Sequence, residues 1–221
     1  MRIQPVEQVS ERPQIDSSLG VQDRLLAAGT VEFARHGFQG ASVSVIVAAA
    51  QCNVRMLYHY FGNKLGLYRA CIAREYEKLR DAEAASDFWT LPPPQAIAEL
   101  VRFTFDYMLD RPEFQGLMRV ENMIGGPHVR DLASVNNRAS TLFARINVLL
   151  DDGLADGSFH HRPDAGALYL SILGLSTIHI TNRHTMQVVM GRDLASPGFL
   201  EPRREEIVRI ILASLQRPVD G

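Results

Sequence analysis

Apolar residues recur at helical spacing along most of the chain, and no stretch shows the strict alternation of a half-buried strand. The first helix is expected to run from about Leu19 to His36, and Gly37 stands where a left-handed residue would end it. A second helix is expected after Ser42, a residue type that favours the N-cap position. Its buried stripe has the spacing i, i+3, i+4, i+7 and consists of Val43, Ile46, Val47 and Ala50. The pattern predicts an all-α fold.

A short third helix follows almost at once. Asn53 is a second N-cap candidate, and Leu57 and Phe61 lie one turn apart, so that they anchor one side of this helix. Gly62 and Asn63 then interrupt the pattern, and a long fourth helix is expected from about residue 64 into residues 82–86. Two short helices joined by a three-residue turn, between two supporting helices, are the plan of a helix-turn-helix motif.

The rest of the chain is also helical in pattern. Three prolines at residues 92–94 mark the clearest boundary, because proline is tolerated in the first turn of a helix. They are expected to begin a fifth helix. Further helices are predicted over residues 112–124, 128–155, 165–180 and 202–216.

The helix predicted over residues 165–180, AGALYLSILGLSTIHI, is apolar or small on every side and therefore has to be covered all round. Its own domain can cover one face and a second subunit the other. We therefore predict a homodimer through the last two helices, which would form a four-helix interface. The alternative is an ordinary monomer core. The last helix contributes the stripe Ile207, Val208, Ile211, Leu212 and Leu215.

Composition and charge fit a folded protein with one basic segment. The 221 residues are 46% apolar and 22% charged, as in globular domains. Residues 21–80 carry eight Lys or Arg against four Asp or Glu, a net of +4, whereas the whole chain has a formal charge of −2. This distribution indicates that the first third meets an anion, with a chance fluctuation on a solvated surface as the alternative.

The two cysteines, Cys52 and Cys71, provide no disulfide framework, so a cytoplasmic location is expected. Residues 1–18 lack the apolar stretch of a signal peptide and are expected to form a flexible segment. No apolar run approaches the ~18 residues that a membrane helix needs, and no membrane partner is expected.

The stretch CNVRMLYHYFGNK, residues 52–64, combines aromatic and basic side chains on the short third helix. Burial of Leu57 and Phe61 turns the neighbouring side chains outward. An arginine such as Arg55 can bridge O6 and N7 of guanine, and an apolar side chain can meet the methyl group of thymine. Tyrosine, histidine and lysine suit phosphate contacts. The stretch therefore predicts a surface that binds double-stranded DNA.

The segment FQGASVSVIVAAA, residues 38–50, and the stretch that follows it resemble the DNA-binding domain of TetR-type transcriptional regulators. The resemblance covers roughly residues 20–70, and LYHYFGNK at residues 57–64 is its most specific part. It implies a helix-turn-helix domain over residues 19–66 and an all-helical effector-binding and dimerisation domain over residues 67–221. We expect a ligand-responsive repressor that binds a palindromic operator as a dimer, with an activator as the alternative.

The resemblance also implies which residues contact DNA: Val54, Arg55 and Met56 would read bases, and the others would mainly contact the backbone. The full expected set is Ser42, Ser44, Val54, Arg55, Met56, Tyr58, His59, Tyr60 and Lys64. Two positions depart from the family pattern. Gln51 replaces a glycine at a position that favours positive φ, and Arg55 replaces another glycine and adds a charged side chain.

Residues 121–128 and 151–159 bear a weaker resemblance to the pyrimidine-responsive regulators of this family, from which we name no ligand. The family implies an effector pocket in this part of the chain, with His179 and Asn182 as polar anchors. The alternative for each expected residue is plain helical core or, for His179, a core or interface histidine with a partner. The expected lining residues are Phe103, Tyr107, Met118, Met123, Phe143, Tyr169, His179 and Asn182.

An enzyme is the main alternative from another class of function. Only His160–His161, Asp151–Asp152 and the pair His179 and His184 suggest metal binding or acid–base chemistry, and none has a recognised zinc spacing. We expect no catalytic residue, no metal and no cofactor. The third alternative is a structural helical dimer with a degenerate DNA motif, which a DNA-binding assay would separate from a regulator.

Overall fold

The computed structural model describes residues 15–130 and 132–216, with the backbone alone over residues 133–139. Within these ranges the chain forms α-helices, one short 3-10 turn and no strand, so the predicted all-α class is confirmed. Residues 1–14 of the segment expected to be flexible lie outside the described residues. No helix in these ranges combines the length and the apolar character that crossing a membrane requires.

The helices are α1 (Val21–Gly40), α2 (Val43–Ala49), α3 (Val54–Phe61), α4 (Lys64–Ala84), α5 (Pro93–Asp110), α6 (Pro112–Met123), α7 (Ala133–Ala155), α8 (Ala165–Thr181), α9 (Arg183–Met190) and α10 (Pro197–Gln216). The 3-10 turn, Asp87–Thr90, lies between α4 and α5.

Gly37 interrupts the helical backbone of α1. Its φ is positive, at 68°, but its ψ is 177°, so the expected left-handed helix end is wrong in detail. One further turn follows, in which the Ala41 amide donates to the Gly37 carbonyl over 3.1 Å. The helix therefore extends to Gly40 rather than ending at His36.

Three later elements differ from the predicted ones. α7 begins at Ala133 rather than near His128, because Gly125 and Gly126 adopt positive φ and the residues after them form turns. α9 is absent from the sequence prediction and has no buried residue. It lies between the two helices expected to form a dimer, so α8 and α10 are not consecutive. α10 begins at Pro197, which takes the first-turn position expected of Pro202.

The chain divides into two compact units at Cys71 and Ile72, within α4. The boundary expected from the sequence, between residues 66 and 67, also lies within this helix. In the first unit, α1 packs against both α2 and α3. Phe33 of α1 is fully buried and meets Tyr68 edge-on, with 4.9 Å between ring centroids. α1 is therefore the support on which the two short helices are held.

In the second unit, α5 is the central helix and packs against α6, α7, α8 and α10. It can contact so many neighbours because apolar residues cover most of its circumference. Its fully buried side chains include Ile97, Leu100, Val101 and Phe105. A second apolar cluster, formed by Leu79, Tyr107, Met108 and Phe114, borders the cavity described below.

Candidate DNA interface and effector cavity

The short helix α3 is positioned by contacts at both of its ends. The Asn53 side chain caps the first turn by accepting a hydrogen bond from the Met56 amide over 3.2 Å. Leu57 is fully buried in the middle of the helix. At the far end, Gly62 has a φ of 74°, which a residue with a side chain rarely adopts. The predicted N-cap and the anchor Leu57 are therefore confirmed, whereas Phe61, the second predicted anchor, is half-buried.

Arg55 and His59 occupy the outer face of α3. At 100° per residue, these two positions lie almost opposite Leu57 and Phe61. Both are exposed, whereas Met56 is half-buried. Val54 and Tyr58 flank the outer face and are 43% and 53% exposed. The helix thus presents one arginine in its first turn and one histidine in its second, with apolar and aromatic side chains beside them.

Glu32 of α1 holds the start of α2. Its Oε1 accepts a hydrogen bond from the backbone amide of Ser42 over 3.0 Å. The Ser42 hydroxyl does not cap α2 and lies 2.8 Å from the hydroxyl of Ser44, which is exposed. Both predicted phosphate-binding hydroxyls therefore lie together at the N-terminus of this helix, where backbone amides favour anions.

Arg24 of α1 holds the turn between α2 and α3. Its Nε donates to the Ala50 carbonyl at the end of α2 over 2.9 Å, and its Nη1 donates to the Leu19 carbonyl over 2.6 Å. The next residue in the turn, Gln51, has a φ of 49°, so the positive φ expected there is confirmed. Sequence reasoning missed Arg24 because its partner is a carbonyl 26 residues away, and no local spacing indicates such a contact.

Lys64 connects the start of α4 to the end of α1. Its Nζ donates to the Gln39 carbonyl over 3.3 Å and lies 5.1 Å from the centroid of the Phe38 ring. An ammonium group has three donors, so this contact leaves others for a phosphate oxygen. The side chain is half-buried.

The second unit contains a cavity of about 850 Å³, within the range of small-molecule sites. Residues of α4, α5, α6, α7 and α8 and of the loop after α6 form its wall. Most of the wall is apolar or aromatic. The lining residues include Tyr76, Leu79, Arg80, Met118, Arg119, Glu121, Met123, Arg130, Phe143, Tyr169, Leu173 and Thr177.

A polar network forms part of one wall of this cavity. Arg80 Nη2 donates to the Tyr169 hydroxyl over 2.9 Å, and that hydroxyl is 3.1 Å from Glu83 Oε1. Arg80 Nη1 lies 2.8 Å from Glu83 Oε2 and completes an ion pair. Burial raises the pKa of Glu83 to about 7, although Arg80 and Tyr169 act in the opposite direction. The network joins α4 to α8.

Glu121 and His128 form a second polar contact of the cavity. His128 Nδ1 lies 2.8 Å from Glu121 Oε1, and the His128 amide donates to Oε2 over 3.2 Å. Glu121 is only 2% exposed, so the turn after α6 is held by a carboxylate that is almost completely removed from water.

The model for bacterial regulatory proteins of the tetR family matches residues 25–71, which contain α2 and α3. The model for a Tetracyclin repressor-like C-terminal domain matches residues 93–211, which is more than half of the chain. The chain belongs to the TetR family. It is a DNA-binding transcriptional regulator, as the sequence resemblance implied.

Individual relatives agree with this assignment. The transcriptional repressor NicS of Pseudomonas putida is 31% identical over 174 residues, which are 79% of this chain and 82% of NicS. The transcriptional repressor SCO4008 of Streptomyces coelicolor is 30% identical over 100 residues, 45% of this chain and 48% of that protein. The structure of SCO4942 from Streptomyces coelicolor shares the fold, with a TM-score of 0.67 at 22% identity over 90% of this chain and all of that one.

Four of the predicted effector residues of this TetR-family protein line the cavity: Met118, Met123, Phe143 and Tyr169. Two others lie in the adjoining apolar packing. Tyr107 belongs to the cluster with Phe114, and Phe103 packs against it with 5.6 Å between ring centroids. The remaining two, His179 and Asn182, are not among the lining residues, and Asn182 is exposed and donates to carbonyl and hydroxyl groups of its own helix.

His179 is a buried core residue of α8. Its ring stacks on Phe105 with 4.9 Å between centroids and 17° between planes, and it is 5% exposed. Neither ring nitrogen has a hydrogen-bond partner among the described residues. His179 is therefore a core histidine, but without the partner that was expected for it. Burial lowers the pKa of His179 to about 4, and the positive charge of Arg203 acts in the same direction.

Replacing His179 by phenylalanine is expected to flatten the acid branch of the stability curve. Between about pH 6.5 and 4 the unfolded chain binds a proton at this residue and the folded chain does not, so stability falls as the pH falls through this window. Without the imidazole, the free energy of unfolding should decrease by about 1–2 kcal/mol less over this pH range. Urea denaturation of both proteins at several pH values measures it, and parallel curves would show that His179 does not titrate in this way.

Several of the residues that suggested metal binding or acid–base chemistry have local partners. Asp151 pairs with Arg162 over 2.5 Å, and the amides of His160 and His161 both donate to the Leu215 carbonyl. His184 is exposed, unlike His179. Among the described residues, no three His, Cys, Asp or Glu side chains are grouped as metal ligands.

Proposed function

We propose that this TetR-family regulator is a repressor that binds a palindromic operator as a dimer and is released by a small molecule bound in the cavity of its second unit. The observation that carries the proposal is the outer face of α3. It presents Arg55 and His59 to solvent while Leu57 fixes the helix to the unit behind it. A helix this short gains a fixed direction only from such packing.

The DNA contacts are proposed from this geometry. Arg55 lies in the first turn of α3, the part of a recognition helix that reaches base edges, with Val54 and Met56 beside it. Tyr58, His59 and Tyr60 lie further along the helix and suit phosphates and groove walls, together with Ser42, Ser44 and Lys64. Each subunit would then read one half-site, with half-sites about 34–36 Å apart.

The proposed dimer uses the uncovered face of α8. Leu170 is 69% exposed and Ile178 is 47% exposed, and the small residues Ala167 and Gly174 lie on the same face. Ile210, 44% exposed, provides an apolar position on α10. Water-exposed leucine and isoleucine about two turns apart on one helix face indicate a surface that another helix covers. Two copies of one face are self-complementary across a two-fold axis.

The cavity suits the effector. Its volume of about 850 Å³ accommodates a drug-sized molecule, and its wall is apolar with few polar groups, as in small-molecule sites. Such a molecule can release DNA only to the extent that it binds the released state more tightly than the DNA-bound state. A DNA partner also supports the cytoplasmic location that is expected from the two cysteines.

Replacing Arg55 by alanine is expected to cost roughly 1–3 kcal/mol of operator binding and to relax specificity at one base pair in each half-site, because an arginine fork on guanine carries about that discrimination. DNA fragments selected by the purified wild-type protein define the operator, and titration of base-pair variants measures the change. An unaltered base preference would show that Arg55 does not read a base of the operator.

Lys64→Ala serves as the comparison for Arg55→Ala. Loss of a phosphate contact should weaken all duplexes alike and lower the slope of log K against log salt by about one. The same selection, repeated with a metabolite library, tests release by an effector. A reporter gene behind the selected operator separates the proposed repressor from an activator.

A further inference from the structure

We propose that the effector is a small organic anion with an apolar body, whose carboxylate or other acidic group is held by Arg119 and Arg130. This inference rests on the proposed effector role of the cavity. These two guanidinium groups are the charges of the cavity wall that have no acidic partner among the described residues.

The other charges of the wall already have partners inside the protein. Arg80 pairs with Glu83 at 2.8 Å and also donates to Tyr169. The carboxylate of Glu121 accepts from the ring and the amide of His128. These groups are bound in buried pairs, so they offer an incoming ligand little uncompensated charge.

Arg119 and Arg130 are neither paired nor buried in this way. Arg119 comes from α6 and Arg130 from the loop after it, and both side chains line the cavity and are exposed. Neither guanidinium group has an ion-pair or hydrogen-bond partner among the described residues. Three arginines (Arg80, Arg119 and Arg130) therefore face two glutamates (Glu83 and Glu121), which leaves a net charge of at least +1 around the cavity.

Arginine is suited to the acid group that this charge favours. Its planar fork binds both oxygens of a carboxylate or phosphate in parallel hydrogen bonds, and such bonds are stronger than those between neutral groups. A cationic ligand would be repelled by the same two guanidinium groups.

The remaining wall indicates the body of the ligand. Leu79, Leu173 and Phe143 are carbon surfaces, and Tyr76 adds an aromatic ring. The hydroxyl of Thr177 donates to the Leu173 carbonyl over 2.8 Å, so its oxygen can accept one hydrogen bond but its proton is already used. An aromatic or medium-chain acid matches this combination of apolar wall and cationic side chains.

The test compares ligands that differ only in charge. Isothermal titration of the full-length protein would use benzoate, 2-naphthoate and octanoate, each with its primary amide and its amine. Carboxylates are expected to bind at least ~10-fold more tightly than their amides, because one charge-assisted hydrogen-bond pair contributes at least about this factor. Arg119→Gln and Arg130→Gln should each lower carboxylate affinity ~10-fold and leave amide affinity unchanged.

Arg183→Gln is the matched control, because Arg183 is exposed on α9 and does not line the cavity. Equal binding of amides and carboxylates, tighter binding of the amines, or no binding by any compound would overturn the inference. Operator release is measured separately with labelled DNA. If amides release DNA and the arginine variants respond normally, the effector role stands and the anion class is wrong. If carboxylates bind through the arginines without releasing DNA, the anion site stands and the effector role is wrong.

Discussion

Replacing Leu170 by arginine is expected to convert the proposed dimer into monomers and to lower operator affinity at least ~100-fold, because a monomer loses the second half-site contact. Leu170 is 69% exposed in the middle of the uncovered face of α8. In a two-fold interface the substitution places two equal charges on facing surfaces, where each loses water without gaining a partner. Sedimentation velocity measures the mass, and titration of labelled operator measures the affinity.

Val148→Arg is the control for this substitution. Val148 is also an exposed aliphatic residue, at 57%, but it lies on α7 rather than on α8 or α10. The added charge is the same, so this variant should stay dimeric and bind the operator normally. If Val148→Arg dissociates the protein and Leu170→Arg does not, the interface lies on α7 and not on the proposed face.

Replacing Gly66 by alanine is expected to destabilise the DNA-binding unit by about 2–3 kcal/mol or more and to lower operator binding with it. A Cβ atom at this position would lie 1.9 Å from the carbonyl oxygen of Phe61, the last residue of α3. The oxygen belongs to the backbone, so the clash can be relieved only if α3 and the start of α4 move apart. Such overpacking is normally costly. The Gly66 amide also donates to Asn63 Oδ1 over 2.8 Å, and the same movement would break this cap.

Gly40→Ala is the matched control in the same unit. A Cβ atom there would lie 3.5 Å from Cβ of His36, an ordinary van der Waals contact. Thermal denaturation followed by circular dichroism should show a lower midpoint for Gly66→Ala only, and operator titration should follow the same order. Equal midpoints for the two variants would mean that the junction of α3 and α4 is loose enough to accept a side chain.

Much of the DNA-binding unit could be predicted from the sequence because its signals are local. The Asn53 cap, the buried Leu57 and the outward position of Arg55 all follow from spacing within a few residues. The turn at Gln51 could be anticipated for the same reason, since a backbone conformation with positive φ depends on its neighbours along the chain.

The contacts that hold these helices in place could not be predicted. Arg24 forms a hydrogen bond with the end of α2, 26 residues away along the chain. Glu32 forms one with the start of α2, 10 residues away. The helical pattern also does not show why position 66 requires glycine, because a glycine inside α4 is only a weak helix former by its propensity. Its requirement comes from the carbonyl of Phe61, which approaches it because a tight turn joins the two helices.

The sequence by itself determined the helical class, the position of the DNA-binding motif and the side of α3 that faces outward. It did so because each depends on periodicity, capping and charge along a short piece of chain. Only the tertiary structure decided that Phe143 lines the cavity while His179 is packed beside Phe105. Helical spacing shows that a residue faces inward. Whether it meets a cavity or another side chain depends on which distant helices pack against it.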